Sequence, residues 1–407
     1  MEQQRLQNYA KLIAQVGGNV QKGQEVFLYA QLDQPEFVEM LVEECYKCGA
    51  ARVFVEWSHQ NLTRLHVNYV TEERLSAVEP YEEAKWTWQR DHLPVKLYLL
   101  SEDPDGLNGI DQVKFSKASQ CRNKVFKPYR DEMDNKYQWC IAAVPGKDWA
   151  KKVFPDCTEE EAMENLWQAI LDVSRVTDDP VKAWEDHNSD LLDRCNYLNS
   201  LGLRQLHYTA ANGTDLTVGL MEEALFLGGG ETSLLGHYFN PNIPSEEVFT
   251  TPKRGEAEGV VYSSKPLSYR GEVIDEFSVR FEKGKAVEVH AKVGEDLLKE
   301  LIGMDQGAAF LGECALVPYD SPIRNSELLF YNTLFDENAA CHLALGMGFT
   351  NCVKDFEHRT LQECWDLGVN DSIIHEDFMI GTADLSIDGI DKNGNTVAIF
   401  RNGNWAF

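Results

Sequence analysis

The stretch EVFLYAQLDQPEFVEMLVEECYKCGAARVFVEW (residues 25–57) decides the fold of the amino-terminal part of the chain. Residues 25–30 form a short apolar run, which predicts a buried strand. Pro35 then begins a helix, where its missing N–H costs nothing, and Gly49 ends that helix. Residues 52–57 are a second apolar run. Strand, helix and strand at this spacing predict one βαβ unit of a parallel sheet.

The same alternation continues on both sides of this unit. The opening MEQQRLQNYAKLIAQVG (residues 1–17) predicts an amphipathic helix. Residues 95–100 and 138–144 are apolar runs that predict further buried strands. The segment TEEE (residues 158–161) is a capping box, which predicts the start of another helix. We therefore expect an α/β domain over residues 1–185.

The second part of the chain has a different character. The stretch TDDP (residues 177–180) is taken as the boundary region, and one more helix is expected around residues 190–198. Beyond it, Asn212-Gly213 and Lys283-Gly284 each separate two strand-like runs, which predicts two β-hairpins. We therefore expect a β-rich α+β domain over residues 186–407, so that the chain as a whole is α/β.

The charge and the cysteine content limit the binding partners and the cellular compartment that we expect. The chain has 38 basic and 66 acidic side chains, for a formal net charge of −28. Such a surface repels phosphate groups, so we expect no nucleic-acid partner and no membrane. Ten scattered cysteines and the lack of a signal-like start favour the cytoplasm. Cys45 and Cys48 have redox-motif spacing, but they end a predicted helix, whereas redox pairs begin one.

Three stretches of the second domain combine acidic residues with histidines. They are PSEEVFTTP (244–252), the segment from GECALVP to FDENAACHLALG (312–346), and HEDFMIGTAD (375–384). In an extended chain, residues two apart share a face. His375 and Asp377 can therefore reach one ion together, which makes them candidate metal ligands.

The other candidates are constrained by the same kind of geometry. Only one of Glu246 and Glu247 can point into a site. Glu337 and His342 are five residues apart, so they converge only if Glu337 lies at or before a helix start with His342 one turn in. Among 66 carboxylates a nearby histidine is expected by chance. Glu313 is more unusual, because it stands in an apolar run where a carboxylate is costly unless paired or metal-bound.

The donor types indicate a particular chemistry. Carboxylates combined with imidazoles suit zinc, cobalt or manganese, whereas softer metals would favour thiolates. Two such ions held close together bring the pKa of a shared water near neutrality and stabilise a developing tetrahedral centre. A site of this composition is typical of metal-assisted hydrolysis.

Five phrases, in order, carry a resemblance to a known family: NIPSEEVFTTP (242–252), GECALVPYDSPI (312–323), LFYNTLFDENAACHLALG (329–346), HEDFMIGTADLSIDG (375–389) and FRNGNWAF (400–407). Over most of its length the chain resembles the thermophilic-type metalloaminopeptidases, which include aminopeptidase T, aminopeptidase S and PepS. The resemblance implies a metal-dependent exopeptidase that releases the N-terminal residue from short peptides through a water activated by two metal ions.

The resemblance also implies residues and partners. By position in the phrases, it places two divalent ions on Glu247, Glu313, Glu337, His342, His375 and Asp377. It implies a carboxylate that takes a proton from water and passes it to the leaving amine. Glu313 is preferred for that catalytic role because it is central in sequence, with Glu337 second. Family members are similar in being homodimers whose active sites open into an internal chamber, which implies short, flexible peptide substrates with a free N-terminus.

One position departs from the family pattern. A tyrosine is expected seven residues after His342, and Phe349 stands there. A phenol could hydrogen-bond an oxyanion, and phenylalanine cannot. Either the tyrosine is dispensable here, or Tyr319 or Tyr331 substitutes, or activity is reduced. Two alternatives therefore accompany the aminopeptidase: a related metal-dependent amide hydrolase such as a deacylase, and a catalytically weakened member that acts as a peptide-binding oligomer.

Overall fold

A computed structural model of the chain describes residues 3–269 and 272–407. Met1 and Glu2, which open the helix expected over residues 1–17, lie outside the described residues. The described residues form two compact units. The first unit contains residues 3–186 and 230–244 with Glu272, and the second contains residues 187–229, 245–269 and 273–407.

Short strands and helices alternate through both units. The strands are β1 (Glu25–Gln31), β2 (Arg52–Ser58), β3 (Val95–Leu100), β4 (Trp139–Ala143), β5 (Leu203–Thr209), β6 (Asp215–Leu220), β7 (Leu227–Gly228), β8 (Glu231–Thr232), β9 (Tyr238–Phe239), β10 (Val248–Thr250), β11 (Pro252–Tyr262), β12 (Leu267–Tyr269), β13 (Glu272–Glu282), β14 (Lys285–Val293), β15 (Leu311–Leu316), β16 (His342–Gly346), β17 (His375–Met379), β18 (Ser386–Asp391), β19 (Thr396–Arg401) and β20 (Asn404–Trp405). The helices are α1 (Gln3–Leu12), α2 (Pro35–Cys48), α3 (Gln60–Tyr69), α4 (Glu72–Ser76), α5 (Pro80–His92), α6 (Gln112–Met133), α7 (Lys147–Val153), α8 (Glu159–Val173), α9 (Pro180–Ser200), α10 (Glu295–Ile302), α11 (Pro322–Asn325), α12 (Thr333–Asp336) and α13 (Leu361–Leu367).

The first unit is built on a parallel sheet with the strand order β2-β1-β3-β4. The predicted βαβ unit is confirmed as β1, α2 and β2. Gly49 ends α2 with a φ of +101°, and its N–H donates to the carbonyls of Cys45 and Tyr46. This left-handed conformation is one that glycine adopts without steric cost. Both hydrogen bonds of the expected capping box at the start of α8 are present.

Two features refine the sequence-based expectations. Cys45 is buried, and burial raises the pKa of its thiol to about 12, which agrees with a structural rather than a redox role. The helix expected around residues 190–198 is longer, because α9 already begins at Pro180. Proline is well suited to a first helical turn, so this residue belongs to the helix and not to a loop.

The second unit contains two antiparallel sheets. The larger one has the order β12-β13-β11-β6-β5-β18-β19-β20, with β14 paired to β13, and the smaller one has the order β17-β16-β15-β10-β7. The two predicted hairpins are confirmed as β5–β6 and β13–β14. One face of the smaller sheet packs into the core of this unit through alternate residues of three strands: Cys314, Leu316, Leu343, Leu345 and Phe378. Its opposite face carries the candidate site.

No helix within residues 3–269 and 272–407 combines the length and the apolar character that a membrane crossing requires.

Candidate metal centre

The strand register of the smaller sheet brings the polar side chains together. Glu313 of β15 and Asp377 of β17 are both paired with Ala344 of β16, one from each side. Directly paired residues project to the same face, and so do residues two apart along a strand. His342 and His375 lie two positions from Ala344 and Asp377, respectively, so all four polar side chains share one face. The methyl group of Ala344 leaves open space between the two carboxylates.

Five of the six expected ligands form two overlapping groups. Potential ligand atoms of Glu247, Glu313 and His342 lie within 4.8 Å of one another, and the same holds for Glu313, His375 and Asp377. His342 Nε2 is 3.1 Å from Glu247 Oε2, and His375 Nε2 is 3.1 Å from Glu313 Oε2. His375 Nε2 lies 3.4 Å from Asp377 Oδ1. Glu313 belongs to both groups, which makes it the centre of the arrangement.

Backbone carbonyls orient both imidazoles. His342 Nδ1 lies 2.9 Å from the carbonyl oxygen of Glu337 and 3.1 Å from that of Ala340. His375 Nδ1 lies 2.7 Å from the carbonyl oxygen of Met347. A carbonyl oxygen only accepts hydrogen bonds, so each Nδ1 carries the proton and donates it. When the rings are neutral, each Nε2 therefore presents its lone pair to the carboxylates, as a metal-binding histidine requires.

The expected helical position of His342 is wrong. His342 is the first residue of β16, and Glu337 begins a single 3-10 turn that ends at Ala339. Ala340 is then extended, with φ −160° and ψ 155°. The turn followed by an extended segment lets the Nδ1 of His342 reach back to the Glu337 carbonyl. The run CHLALG was ambiguous because a short apolar stretch suits a buried strand as well as a helix.

Glu337, the sixth expected ligand, lies beside the two groups and not within them. Its side chain is buried. As expected, only one of Glu246 and Glu247 belongs to a ligand group. Glu247 is in the first group, whereas Glu246 Oε2 lies 3.9 Å from His187 Nε2. Asn338 also takes part in this site, although no motif in the sequence indicates it. Its Oδ1 accepts from the N–H of Glu246 at 2.7 Å, and its Nδ2 donates to Glu337 Oε1 at 3.3 Å.

The site brings several carboxyl groups together in a buried environment. Burial raises the pKa of Glu313 to about 7, supported by the charges of Glu247 and Asp377 and opposed by a hydrogen bond from His375. Burial together with the charges of Asp377 and Glu247 also holds the pKa of Glu337 well above its usual range. Burial acts in the same direction on Asp377, but the charge of His375 outweighs it and lowers the Asp377 pKa.

The same carboxylates change the pKa values of the two imidazoles. Burial alone would lower the pKa of His342, but the hydrogen bond and charge of Glu247 raise it well above the ordinary value. For His375, burial is likewise outweighed by Asp377 and Glu313, so its pKa is also raised. Both groups are thus drawn toward their cationic form by the carboxylates. The protein environment favours positive charge at this position.

The donor set fits divalent cations. Asp377 Oδ1 is buried and has no hydrogen-bond partner among the described residues. Within that part of the chain, none of the carboxylates of Glu247, Glu313, Glu337 and Asp377 forms an ion pair with a lysine or arginine. Four buried carboxylates that face only two imidazoles are costly unless a metal compensates them. Carboxylate oxygens and imidazole nitrogens are ligands that zinc, cobalt and manganese accept.

Phe349 lies directly at this site. Its ring centroid is 4.8 Å from that of His375, and on another side it makes an edge contact with Phe249 at 5.4 Å. Tyr319 is engaged elsewhere, because its hydroxyl accepts a hydrogen bond from Arg324 Nη2 at 2.7 Å. Tyr331 has a left-handed backbone with φ +54°. Neither tyrosine belongs to the two ligand groups.

Comparisons with known proteins agree along the whole chain. Residues 2–405 match the family described as Thermophilic metalloprotease (M29). Aminopeptidase AmpS of Bacillus subtilis is 42% identical, with 99% of each chain covered, and aminopeptidase PepS of Streptococcus thermophilus is 41% identical, covering 99% of this chain and 98% of that protein. The solved structure of wild-type AmpT from Thermus thermophilus superimposes with a TM-score of 0.89 at 36% identity, with 99% of each chain covered.

Proposed function

The chain belongs to the Thermophilic metalloprotease (M29) family, and from this premise we propose that it is a metal-dependent aminopeptidase with a two-metal centre. Its substrates would be short peptides, from which it releases the N-terminal residue. The observation that carries the proposal is the double membership of Glu313 in two adjacent carboxylate and imidazole groups. Glu313 would therefore help to hold both ions. Its similarity to aminopeptidase AmpS and to aminopeptidase PepS supports the aminopeptidase assignment.

The charge balance supports two ions rather than one. Four buried carboxylates, Glu247, Glu313, Glu337 and Asp377, face two imidazoles that are neutral when they bind metal. Two divalent cations would compensate these four negative charges. One ion would be held by Glu247, Glu313 and His342, and the other by Glu313, His375 and Asp377. Glu337, whose carboxyl interacts electrostatically with Asp377 and Glu247, would be the sixth ligand.

Bound ions would supply Lewis acidity at the scissile carbonyl and would bring the pKa of a nearby water close to neutrality. The chain itself provides proton transfer and positioning. We assign the transfer of the water's proton to the leaving amine to Glu313, because it is central to both groups, and Glu337 is the alternative. The acidic surroundings attract the free α-amine of a peptide, which selects the residue to be removed.

A second candidate function rests on Phe349. Because this side chain contacts His375 without offering a hydroxyl, a weakened family member that binds peptides as an oligomer is the alternative to an efficient enzyme. The complete set of buried carboxylates supports the catalytic proposal over this one. A homodimer in the cytoplasm is the setting that the family resemblance and the buried Cys45 thiol support.

The decisive experiment compares a short peptide with its amino-acetylated form, before and after treatment with a chelator. An aminopeptidase cleaves only the peptide with a free amine, loses activity with the chelator and regains it with zinc, cobalt or manganese. Equal cleavage of the blocked peptide would identify a different amide hydrolase. Stoichiometric metal binding with no cleavage of either peptide would favour the peptide-binding alternative.

A further inference from the structure

A second polar cavity, of about 200 Å³, lies in the same unit. Its polar lining consists of Ser264, Lys265, Tyr319 and Arg324, and its remaining wall is formed by residues 339–340 and 381–383. We call it the cationic cavity. None of these residues belongs to the two ligand groups described above.

The two cations of this cavity have no carboxylate partner. Within residues 3–269 and 272–407, neither Lys265 nor Arg324 forms an ion pair, although the chain contains 66 acidic residues. The buried carboxylate of Asp336 acts on Lys265 only through space, because its oxygens accept the N–H groups of Phe330 and Asn332 at 3.0 Å each. In a protein of this acidity, two unpaired cations facing one cavity indicate an anionic ligand.

One of the two cations is oriented in advance. Arg324 is held in place by its hydrogen bond to the Tyr319 hydroxyl, and its guanidinium lies 4.5 Å over that ring. The guanidinium is therefore oriented before any ligand binds, which lowers the entropic cost of binding.

Two residues in the wall of the cationic cavity lie close in sequence to expected metal ligands. Ala339 and Ala340, in its wall, are each two residues from Glu337 and His342, respectively, so the Cα atoms are at most about 7.6 Å apart. Ala340 is extended, which turns its side chain to the same side as His342. The close approach of the opposite wall requires Gly381, where a Cβ would meet the Ala340 Cβ at 2.9 Å.

We propose that the cationic cavity binds the free α-carboxylate of the substrate, so that the enzyme selects dipeptides and tripeptides by length. An extended peptide covers about 3.3–3.6 Å per residue, so a short peptide whose amine lies at the metal centre can reach a cavity whose wall is two residues from Glu337 and from His342. This inference rests on the proposed aminopeptidase function, because the opposite end of the peptide must lie at the metal centre.

The test compares trialanine with trialanine amide on the metal-loaded enzyme and on Lys265→Met. We expect the wild type to prefer the free acid by about ten- to a hundredfold in kcat/KM, the range of a hydrogen bond to a charged group. Lys265→Met should remove most of that preference. Lys354→Met, at an exposed lysine of the same unit, is the matched control and should keep the preference.

Three results would overturn the proposal. The first is equal kcat/KM for acid and amide in the wild type. The second is a preference that survives in both Lys265→Met and Arg324→Gln, the latter being an independent change in case the lysine variant does not fold. The third is binding of inorganic phosphate that depends on Lys265 while acid and amide are cleaved alike, which would identify a site for a free anion.

Failure of the proposed function itself gives a distinct result. If neither peptide is cleaved with metal present, calorimetric titration of both peptides still tests the cationic cavity. Tighter binding of the acid than of the amide, lost in Lys265→Met, supports carboxylate recognition without catalysis. Equal binding of the two peptides contradicts it.

Discussion

Asn338 connects the two stretches that flank the candidate metal centre: its Nδ2 donates to Glu337 Oε1 at 3.3 Å while its Oδ1 accepts from the N–H of Glu246 at 2.7 Å. The side chain is fully buried. One amide thus sets the position of the Glu337 carboxyl and of the backbone that leads into Glu247. It is a positioning residue, since it belongs to neither ligand group.

Removing this amide should loosen the site and destabilise the unit. Asn338→Ala leaves the Glu246 N–H without its acceptor, so we expect the free energy of unfolding to fall by about 1–3 kcal/mol. Metal affinity should fall as well, because Glu337 and Glu247 lose their common support. Denaturation of the metal-free protein and metal titration measure the two effects. Unchanged metal affinity in a folded variant would refute the positioning role.

The roles of Glu313 and Glu337 can be separated by metal content. A Gln variant at the proton-transferring carboxylate should retain both ions and lose about 10²- to 10⁴-fold in kcat. A Gln variant at a residue needed only as a ligand should lose metal in proportion to activity. Because Glu313 is also proposed as a ligand of both ions, we expect Glu313→Gln to lose this activity even when excess metal restores its metal content. If Glu313→Gln kept most of its rate with its metal content unchanged, Glu337 would be the remaining candidate.

Phe349→Tyr tests whether a phenol hydroxyl beside His375 increases the catalytic rate. The substitution adds one hydroxyl to a half-buried ring that already contacts the imidazole. A donor that reaches a developing oxyanion is worth about a hundredfold or more in rate, so we expect kcat to rise by up to that amount. Phe249→Tyr, on the ring that packs against Phe349, is the matched control. An unchanged kcat would show that the hydroxyl is dispensable in this chain.

Ala344 should tolerate no large side chain if metal is bound between its neighbours. Ala344→Leu would project a branched side chain between Glu313 and Asp377, which are paired with it on either side. We expect loss of at least one bound ion with little change in circular dichroism. Leu343→Met, whose side chain points into the core on the opposite face, is the control and should keep its metal. Full metal occupancy in Ala344→Leu would contradict the proposed location.

Lys96 in the first unit should make stability depend on alkaline pH. It is 2% exposed, with its Nζ 4.5 Å from the ring centroid of Tyr137 and 5.0 Å from that of Trp86. Burial lowers its pKa to about 8, assisted by the charges of Arg130 and Lys85.

The unfolded chain therefore binds one more proton than the folded chain between pH 8 and about 10.4, so this group adds stability as pH rises through that window. The gain is about 3 kcal/mol in all. Denaturant titrations of the wild type and Lys96→Met at pH 7.5 and 10 measure this contribution. Between these two pH values, the free energy of unfolding should rise more in the wild type than in Lys96→Met. Parallel pH profiles would show that the lysine is not perturbed in the fold.

The sequence was most informative where each local signal has one structural meaning. Pro35, Gly49 and the capping box at α8 mark helix ends through their own backbone chemistry, and the structure has them there. Alternation along HED indicated that His375 and Asp377 share a face, and in β17 both lie near Glu313.

It was less informative where geometry depends on partners distant in the chain. No periodicity distinguishes a helix from a strand in CHLALG, because its pairing with β15 and β17 decides the conformation of His342. Asn338 gave no signal, since its importance arises from a hydrogen bond to Glu246. The cationic cavity is similarly invisible in the sequence, because Lys265 and Arg324 meet only in the folded unit.

Glu313, Ala344 and Asp377 are paired across three strands. Metal therefore binds tightly only when these strands are in their native register. Slippage of β17 by one residue along β16 would turn His375 and Asp377 toward the apolar core and bring Glu376 to the other side. A misaligned sheet thus leaves the group of Glu313, His375 and Asp377 with one of its three ligands. During refolding, tight uptake of metal should therefore coincide with the arrival of these strands in their native alignment, and cations in the medium should rescue chains from misregistered intermediates.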